Sequence, residues 1–278
     1  MLLLFVKMYK RKIFDCITFY NENLLVNSRF EILKDVVDYF VIIESSFDHK
    51  GDKKEINFKL LNPKFKDKVR HYVIKDNFTL LHDGWDIESF QREKILEFIK
   101  DASDDDYIMY SDSDEIPNPK KLKNFSLKKK YAVFLQKFYV YKINVFNKFE
   151  TPWQGTRICK KKYLKSITFL RKKIKLENLK KAFWKLQYEK SIEFIENGGW
   201  HFNNLYNSEI ISKKLQNIKH VDKGLKNVHI DRDIIEKKIF NLEDVFHRNH
   251  KYEKIEIDET FPDYIRNNLS IFTDFILE

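Results

Sequence analysis

The sequence predicts an α/β fold with a mostly parallel central sheet flanked by helices, an antiparallel extension and C-terminal helical segments. In the first half, apolar runs alternate with amphipathic stretches, an order typical of strands joined by crossover helices. A long β-rich stretch full of aromatic residues follows, and short helical patterns begin at Asp231. Only 6 glycines and 5 prolines occur in 278 residues, and no polar, Ser/Gly-rich linker divides the chain.

Short runs rich in Val, Ile and aromatic residues predict buried parallel strands at residues 13–20, 36–44, 69–74 and 107–111. A helix is predicted over residues 87–100, because its apolar side chains fall on one stripe at 3.6 residues per turn. These side chains are Ile87, Phe90, Ile95, Phe98 and Ile99.

The second half predicts a different arrangement. Residues 131–146 are aromatic and β-rich, which predicts one or two long antiparallel strands that continue the sheet. Residues 153–156 are interpreted as a loop or the start of a strand. Residues 208–220 predict a helix with Ser208 as its N-cap.

The chain is basic, with a net charge of +10, which permits binding to nucleic acid, an anionic membrane surface or anionic substrates. Residues 160–185, called the basic segment below, hold all but one of their charges as Lys or Arg, the exception being Glu177. Such a segment is either a solvated face or a surface for lipid or phosphate.

Cys16 and Cys159 are the only cysteines, too few for a disulfide framework, so we expect a reducing compartment. The apolar run at residues 1–6 is too short for a signal peptide or a membrane span. We therefore expect a cytoplasmic protein, with peripheral contact to an anionic membrane as a further expectation.

Polar side chains follow three of the predicted strands, at Asn21 and Glu22, at Glu44, and at the run Asp112-Ser113-Asp114-Glu115. Open α/β sheets bind ligands beyond the carboxyl ends of their strands. Carboxylates crowded at a strand end suit a divalent cation, and such a cation suits a diphosphate. Residues 104–106 contain the same acidic spacing but precede the strand, and they are interpreted as a solvated turn.

Distinctive motifs occur at residues 13–22 (IFDCITFYNE), 37–44 (VDYFVIIE), 89–92 (SFQR), 111–117 (SDSDEIP) and 199–202 (GWHF). Because these motifs occur in this order, the chain resembles the family 17 glycosyltransferases over roughly residues 12–220. The resemblance implies one glycosyltransferase A-type domain over residues 1–278. Its parts would be a nucleotide-sugar-binding half (12–128), an acceptor-side half (129–225) and a C-terminal extension (226–278).

The resemblance also implies inverting transfer of a sugar, N-acetylglucosamine for this family, from a nucleotide-sugar donor to a glycan or glycolipid. A UDP-sugar donor is expected, with UDP-N-acetylglucosamine, UDP-glucose, UDP-galactose and also GDP-sugars left open, and Mn²⁺ or Mg²⁺ is the expected cofactor. The expected metal ligands are Asp112, Asp114 and His201, and Asp114 and Glu115 are the expected catalytic residues. The expected donor-binding residues are Phe19, Asn21, Glu22, Glu44, Arg92 and Asp112.

Structural interpretations compete for several of these residues. Asn21 could cap a helix, Arg92 could be a surface arginine, and His201 could pack beside Trp200 with hydrogen bonds to the backbone. The general base stays open among Glu44, Asp83, Asp86, Glu115 and Glu150. Trp85 and Trp153 are candidates for stacking on a sugar or for the core.

Two other functions share these features. A metal-dependent hydrolase of phosphoester or glycosidic bonds could use the same carboxylates. A nucleic-acid-binding protein could use the basic segment, but no recognised nucleic-acid-binding module occurs in the sequence, and we expect no nucleic-acid partner.

Overall fold

The computed structural model describes residues 11–48, 51–76, 84–181, 184–185, 189–219, 231–246 and 248–278. Strands in these ranges are β1 (Ile13–Phe19), β2 (Tyr39–Ser45), β3 (Val69–Ile74), β4 (Tyr107–Asp112), β5 (Glu115–Pro117), β6 (Tyr131–Val140), β7 (Val145–Phe146), β8 (Trp153–Lys160), β9 (Ile192–Asn203) and β10 (Glu253–Lys254).

The helices in the same ranges are α1 (Asn23–Leu33), α2 (Gly84–Glu93), α3 (Ile95–Phe98), α4 (Pro119–Leu122), α5 (Ile167–Arg171), α6 (Leu176–Leu179), α7 (Ser208–Lys219), α8 (Arg232–Phe240) and α9 (Asp263–Asn267). Short 3₁₀ helices occur at Pro63–Phe65, Lys161–Tyr163 and Leu269–Phe275. No helix within the described ranges is long and apolar enough to cross a membrane.

The strands form one sheet in the order β10-β7-β6-β8-β4-β1-β2-β3, with β9 against β6 and β5 against β9. Strands β1 to β4 are mutually parallel, whereas β8 runs antiparallel to both β4 and β6. The predicted fold class is therefore confirmed as a large mixed sheet flanked by helices. Because β1 lies between β2 and β4, the strand order reverses there. Open α/β sheets bind ligands beyond the carboxyl ends of the strands at such a point.

Both faces of the parallel part are covered, as its apolar strands require. On one face, Phe14 and Cys16 of β1 pack in a cluster with Ile87 and Ile95 of the α2–α3 region. On the other face, Ile13 and Ile17 pack with Val26 and Phe30 of α1. The free thiol of Cys16 is fully buried.

The four predicted parallel strands and the apolar stripe of the helix at 87–100 are confirmed, although the helix is divided into α2 and α3. The stretch 131–146 forms β6 and β7, which pair antiparallel. Residues 153–156 begin strand β8. The predicted cap of α7 is wrong by one residue, because Asn207, and not Ser208, accepts a hydrogen bond from the Ile210 N–H at 2.9 Å.

Candidate active site

The acidic run turns sharply at the end of β4. The chain passes through Ser113 and Asp114 and enters β5, which pairs antiparallel with β9 and sets Glu115 in register with His201. The backbone oxygen of Asp114 accepts a hydrogen bond from the Phe202 N–H at 2.9 Å. Two motifs that are distant in the sequence therefore meet at one strand end.

A buried ion pair supports this turn from below. Arg29 of α1 is fully buried and donates from Nε and Nη2 to the two carboxylate oxygens of Asp15 in β1, each at 2.6 Å. Its Nη1 donates to the backbone oxygen of Glu115 at 2.5 Å, and its Nη2 also donates to Ser111 Oγ at 3.0 Å. One guanidinium thus ties β1 and α1 to both ends of the acidic turn.

Glu115 is fully buried, and both of its carboxylate oxygens accept hydrogen bonds. Oε1 accepts from Trp153 Nε1 at 2.6 Å and from Arg171 Nη2 at 2.8 Å, while Oε2 accepts from the Asp112 N–H at 3.2 Å. Burial raises the pKa of Glu115, Arg171 opposes the shift, and Asp112 adds to it. Glu115 has no exposed surface, and it holds Arg171, the Trp153 indole and the Asp112 backbone in place.

The Asp112 side chain is 34% exposed and lies among arginines. Its Oδ2 accepts a hydrogen bond from Arg171 Nη2 at 2.5 Å, and its Oδ1 accepts one from the Tyr110 hydroxyl at 3.3 Å. Arg92 Nη2 lies 3.9 Å from Oδ1. Burial acts to raise the pKa of Asp112, but the charge and hydrogen bond of Arg171, with Arg92, outweigh it and lower that pKa.

Arg92 is a site residue and not a surface arginine, since its side chain is only 11% exposed. Its Nε donates to the Tyr110 hydroxyl at 3.0 Å, and its Nη2 pairs with Glu88 one helical turn earlier. Although burial acts to lower the pKa of Arg92, the charges of Tyr110, Glu88 and Asp112 raise it. Arg92 and Arg171 thus bring two planar, permanently charged guanidinium groups to the Asp112 carboxylate.

Asp114 and His201 form the second pair of the site. His201 Nε2 lies 3.3 Å from Asp114 Oδ2, and the imidazole packs against the rings of Phe138 and Trp153. Burial acts to lower the pKa of His201, but Asp114, with smaller contributions from Glu115 and Asp112, raises it.

The donor atoms of this pair fit a divalent cation. Two neighbouring ligands of an octahedral Mg²⁺ lie roughly 3 Å apart when each bond is about 2.1 Å, close to the 3.3 Å between Asp114 Oδ2 and His201 Nε2. Within the described part of the chain, no group of three His, Cys, Asp or Glu side chains is spaced to hold a metal. Of the three expected ligands, Asp114 and His201 therefore have this spacing, whereas the Asp112 carboxylate accepts a hydrogen bond from Arg171.

The structure does not bring two of the predicted donor-binding residues to the site. Phe19 is 2% exposed and packs in the core against Phe58, so its ring is not available to a nucleobase. Glu44 is fully buried at the end of β2. Its oxygens accept hydrogen bonds from the Lys54 ammonium at 2.8 Å and the Asn57 N–H at 2.6 Å, so it holds the loop that follows β2.

Asn21 and Glu22 do lie at the carboxyl end of β1, where they line a cavity of about 280 Å³. Asn21 does not cap α1. The Glu22 carboxylate accepts hydrogen bonds from the N–H groups of Tyr20 and Asn21 at 3.1 and 3.0 Å and from the Tyr206 hydroxyl. Neither Asp112 nor Asp114 is among the residues that line this cavity.

Among the general-base candidates, Glu44 and Glu115 are both fully buried. Glu150 lies 3.7 Å from Arg248 Nη1. Asp83 lies outside the described residues, and the side chains of Asp86 and Trp85 lie outside them as well.

Sequence reasoning missed Arg171, Arg29 and Asp15. Arg171 stands among lysines in the basic segment, and nothing in its local pattern separates it from them. Asp15 carried a signal, since a carboxylate inside an apolar strand requires a buried cation or strong hydrogen bonds. Trp153, a candidate sugar platform, donates to Glu115 and contacts His201.

The model of glycosyltransferase family 17 matches residues 5–257. The chain belongs to glycosyltransferase family 17. The expectation of a family 17 glycosyltransferase, drawn from the motifs, is thereby confirmed.

Similar family 17 relatives are the β-1,4-mannosyl-glycoprotein 4-β-N-acetylglucosaminyltransferases of Rattus norvegicus and Homo sapiens, each 32% identical over 118 residues. The matched part is 38% of this chain and 22% of each relative. The chain therefore spans about a fifth of the length of the curated relatives that it matches.

Two solved structures resemble this family 17 chain weakly. Glucosyl-3-phosphoglycerate synthase from Mycobacterium tuberculosis is 12% identical, with a TM-score of 0.35 and coverage of 69% of this chain and 71% of that one. The inositol-1-phosphate CTP transferase from T. maritima is 15% identical, with a TM-score of 0.34 and coverage of 67% and 86%.

Proposed function

We propose that this protein is a metal-dependent, inverting glycosyltransferase that moves N-acetylglucosamine from a UDP-sugar to a glycan or glycolipid acceptor. We further propose that it works in the cytoplasm, in peripheral contact with an anionic membrane. Family membership supports transfer as the reaction class. One observation supports the assignment of the reaction to this site. At the carboxyl end of β4, Asp112 lies beside Arg92 and Arg171, and Asp114 lies beside His201.

The two arginines provide charge for a departing diphosphate. When a sugar leaves a nucleoside diphosphate, negative charge accumulates on the phosphate oxygens, and fixed cations nearby lower the barrier. Arg171 is hydrogen-bonded to Asp112 and Glu115, and Arg92 to Tyr110 and Glu88. Their planar groups can each present two N–H donors to a phosphate, as bidentate recognition requires.

Asp114 and His201 would hold the divalent cation, which when bound supplies Lewis-acid neutralisation of the diphosphate. The remaining coordination positions would belong to phosphate oxygens and water. Glu115 keeps Arg171 and the Trp153 indole in place through hydrogen bonds of 2.8 and 2.6 Å. The Trp153 ring, which lies beside His201 and is only half-buried, would stack on the sugar.

The direct test is a calorimetric titration with UDP in the presence and absence of Mn²⁺. The double variant Asp112→Asn with Asp114→Asn should lose Mn²⁺-dependent UDP binding and all sugar transfer, because it removes the negative charges of Asp112 and Asp114. The matched control is Asp104→Asn with Asp105→Asn, which changes two acidic residues of the turn before β4 and should bind UDP as the wild type does. Undiminished UDP affinity in the site variant refutes the proposal.

A second measurement separates transfer from hydrolysis. With UDP-N-acetylglucosamine and a panel of oligosaccharide and glycolipid acceptors, a transferase releases UDP faster when the right acceptor is present. Release that no acceptor accelerates, with free sugar as product, contradicts transfer and favours a hydrolase.

A further inference from the structure

A second cavity, of about 160 Å³, lies between the sheet and the basic segment. Its apolar wall comes from the strands and from helices α5 and α6, and it consists of Tyr131, Val133, Phe169, Leu170, Ile174 and Leu179 with Ile192. Its charged lining consists of Arg157 from β8, three lysines of the basic segment and Glu189. The cavity therefore combines an apolar wall with an excess of positive charge.

Arg157 is the unusual member of this lining, because it is a buried cation that has no carboxylate partner among the described residues. It is 2% exposed, and its Nη1 donates only to the backbone oxygens of Gln154 and Gly155. Within the described residues it forms no ion pair, and its buried Nε has no hydrogen-bond partner. Burying an unpaired charge is costly, so such a group requires a function.

Among the charged groups around Arg157, the one with the largest effect on it, Arg171, is also positive. Burial, and then repulsion by Arg171, lower the pKa of Arg157 to about 9, while the charges of Glu115 and Asp112 only partly compensate. At neutral pH the guanidinium is still protonated. An anion in the cavity would supply the missing partner.

Three lysines extend this charge to the mouth of the cavity. Lys172, Lys173 and Lys175 line it, their side chains are exposed, and none of them makes an ion pair within the part of the chain that the structure describes. By contrast, Lys160 and Lys162, earlier in the basic segment, both pair with Asp105 at 2.8 and 3.0 Å. The acidic lining residue, Glu189, accepts a hydrogen bond from the Ser191 N–H at 2.9 Å.

The cavity shares a wall with the candidate active site. Leu170 and Lys172 line the cavity, and the residue between them, Arg171, holds Asp112 and Glu115. Gln154 fastens this stretch to β8, because its side chain exchanges two hydrogen bonds of 2.9 Å with the backbone of Ile174. A ligand in the cavity would therefore lie next to the residues that we propose to bind the donor.

We propose that this cavity binds the phosphate of a ligand whose remaining part is apolar. The identity of this ligand as a lipid-linked acceptor rests on the proposed function. The volume equals that of about five water molecules, enough for a phosphate and the first few carbons of a chain. Arg157 and the three lysines would bind the phosphate, and the apolar wall would contact the carbons. Leu176, next to Lys175, is 59% exposed and extends the apolar surface beside the lysines.

Calorimetry with farnesyl phosphate, a soluble prenyl phosphate, tests the site directly. The wild type should bind it, and both Arg157→Met and the triple variant Lys172→Gln, Lys173→Gln, Lys175→Gln should bind at least about tenfold more weakly, since charge-assisted hydrogen bonds to phosphate are lost. The matched control Lys120→Gln, Lys121→Gln, Lys123→Gln removes three charges at the α4 surface and should bind as the wild type does. Equal binding by the wild type and both site variants overturns the proposal.

The thermal unfolding midpoint of Arg157→Met distinguishes a ligand site from a structural role. Removal of an unpaired buried cation should leave the midpoint unchanged or raise it, whereas a structural arginine would lower it. If Arg157→Met fails to fold, the triple lysine variant still decides the matter.

Two further probes identify the source of the phosphate. Inorganic phosphate should bind more weakly than farnesyl phosphate, and equal affinities overturn the apolar part of the proposal. The second probe is a vesicle of phosphatidylglycerol and phosphatidylcholine. If the wild type binds these vesicles through Arg157 but does not bind farnesyl phosphate, the site recognises a bilayer headgroup, and the proposal of a lipid-linked acceptor is overturned. If the wild type fails to bind UDP, the proposed function is refuted but the phosphate site is not, because farnesyl phosphate binding is measured without donor or metal.

Discussion

Replacement of Arg29 by Met tests whether the buried ion pair positions the acidic turn. The substitution keeps a long side chain in the core but removes the hydrogen bonds of the guanidinium to Asp15, Ser111 and the Glu115 backbone. It leaves the Asp15 carboxylate, which is 1% exposed, without its cation. We expect a large loss of stability together with a displaced turn.

The magnitude follows from these contacts. Breaking a buried ion pair by removing one partner costs about 3–5 kcal/mol, because the remaining charge is buried and uncompensated. Changing both partners, Asp15→Leu with Arg29→Met, removes that charge and should recover most of the loss. The Glu115 backbone oxygen still lacks its donor, at about 1–3 kcal/mol, while Ser111 Oγ keeps its 2.7 Å hydrogen bond to Thr156. The double variant should therefore be more stable than Arg29→Met but less stable than the wild type.

Urea denaturation measures the free energy of unfolding, and calorimetry with UDP and Mn²⁺ measures the site. A positioning role predicts that the double variant regains stability without regaining UDP affinity. The control Lys148→Met breaks the pair of Lys148 with Glu253, whose side chains are 55% and 48% exposed, and should change stability by less than about 0.5 kcal/mol. A double variant that binds UDP as tightly as the wild type would refute the reasoning.

The remaining predictions concern a glycine and a buried carboxylate. Gly199→Ala should lower the melting temperature by at least about 4 °C. The reason is that Gly199 has a φ of +136° and an added Cβ would lie 2.2 Å from the Ile116 backbone oxygen. An unchanged melting temperature would contradict this prediction. For Asp244, burial acts to raise the pKa, but hydrogen bonds from Arg248 and Tyr252 lower it to about 2. Since the unfolded value is about 3.9, the carboxylate should contribute stability above pH 4 that is lost as the pH falls towards 2. Urea titrations at pH 6, 4 and 3 should therefore show a smaller acid loss for Asp244→Asn than for the wild type, and identical slopes of stability against pH would contradict the assignment.

The sequence alone determined the parallel half of the fold, because its signal is local. Each strand from β1 to β4 is a short run of Val, Ile and aromatic residues, and burial on both faces of a parallel sheet requires that composition. The acidic run Asp112-Ser113-Asp114-Glu115 was equally visible, because it directly follows the last of these strands.

Strand β9 was not predicted, and its formation depends on tertiary pairing. Residues 192–203 include Glu196, Asn197 and two adjacent glycines, all poor strand formers. The glycines serve close packing, since a Cβ on Gly198 would lie 2.7 Å from the Leu135 backbone nitrogen. Pairing with β5 and β6 supplies the hydrogen bonds that local propensity does not.

The chemistry of the site divides in the same way. Carboxylate ligands at a strand end follow from sequence order, because a strand delivers its final residues to the sheet edge. The partners of those carboxylates come from elsewhere in the chain: Arg29 from α1, Arg171 from α5 and His201 from β9. Ion pairing acts through space and leaves no periodic pattern in the sequence. Only the tertiary structure therefore decided which cations meet the acidic turn and which, like Arg157, have no partner carboxylate in the part of the chain that the structure describes.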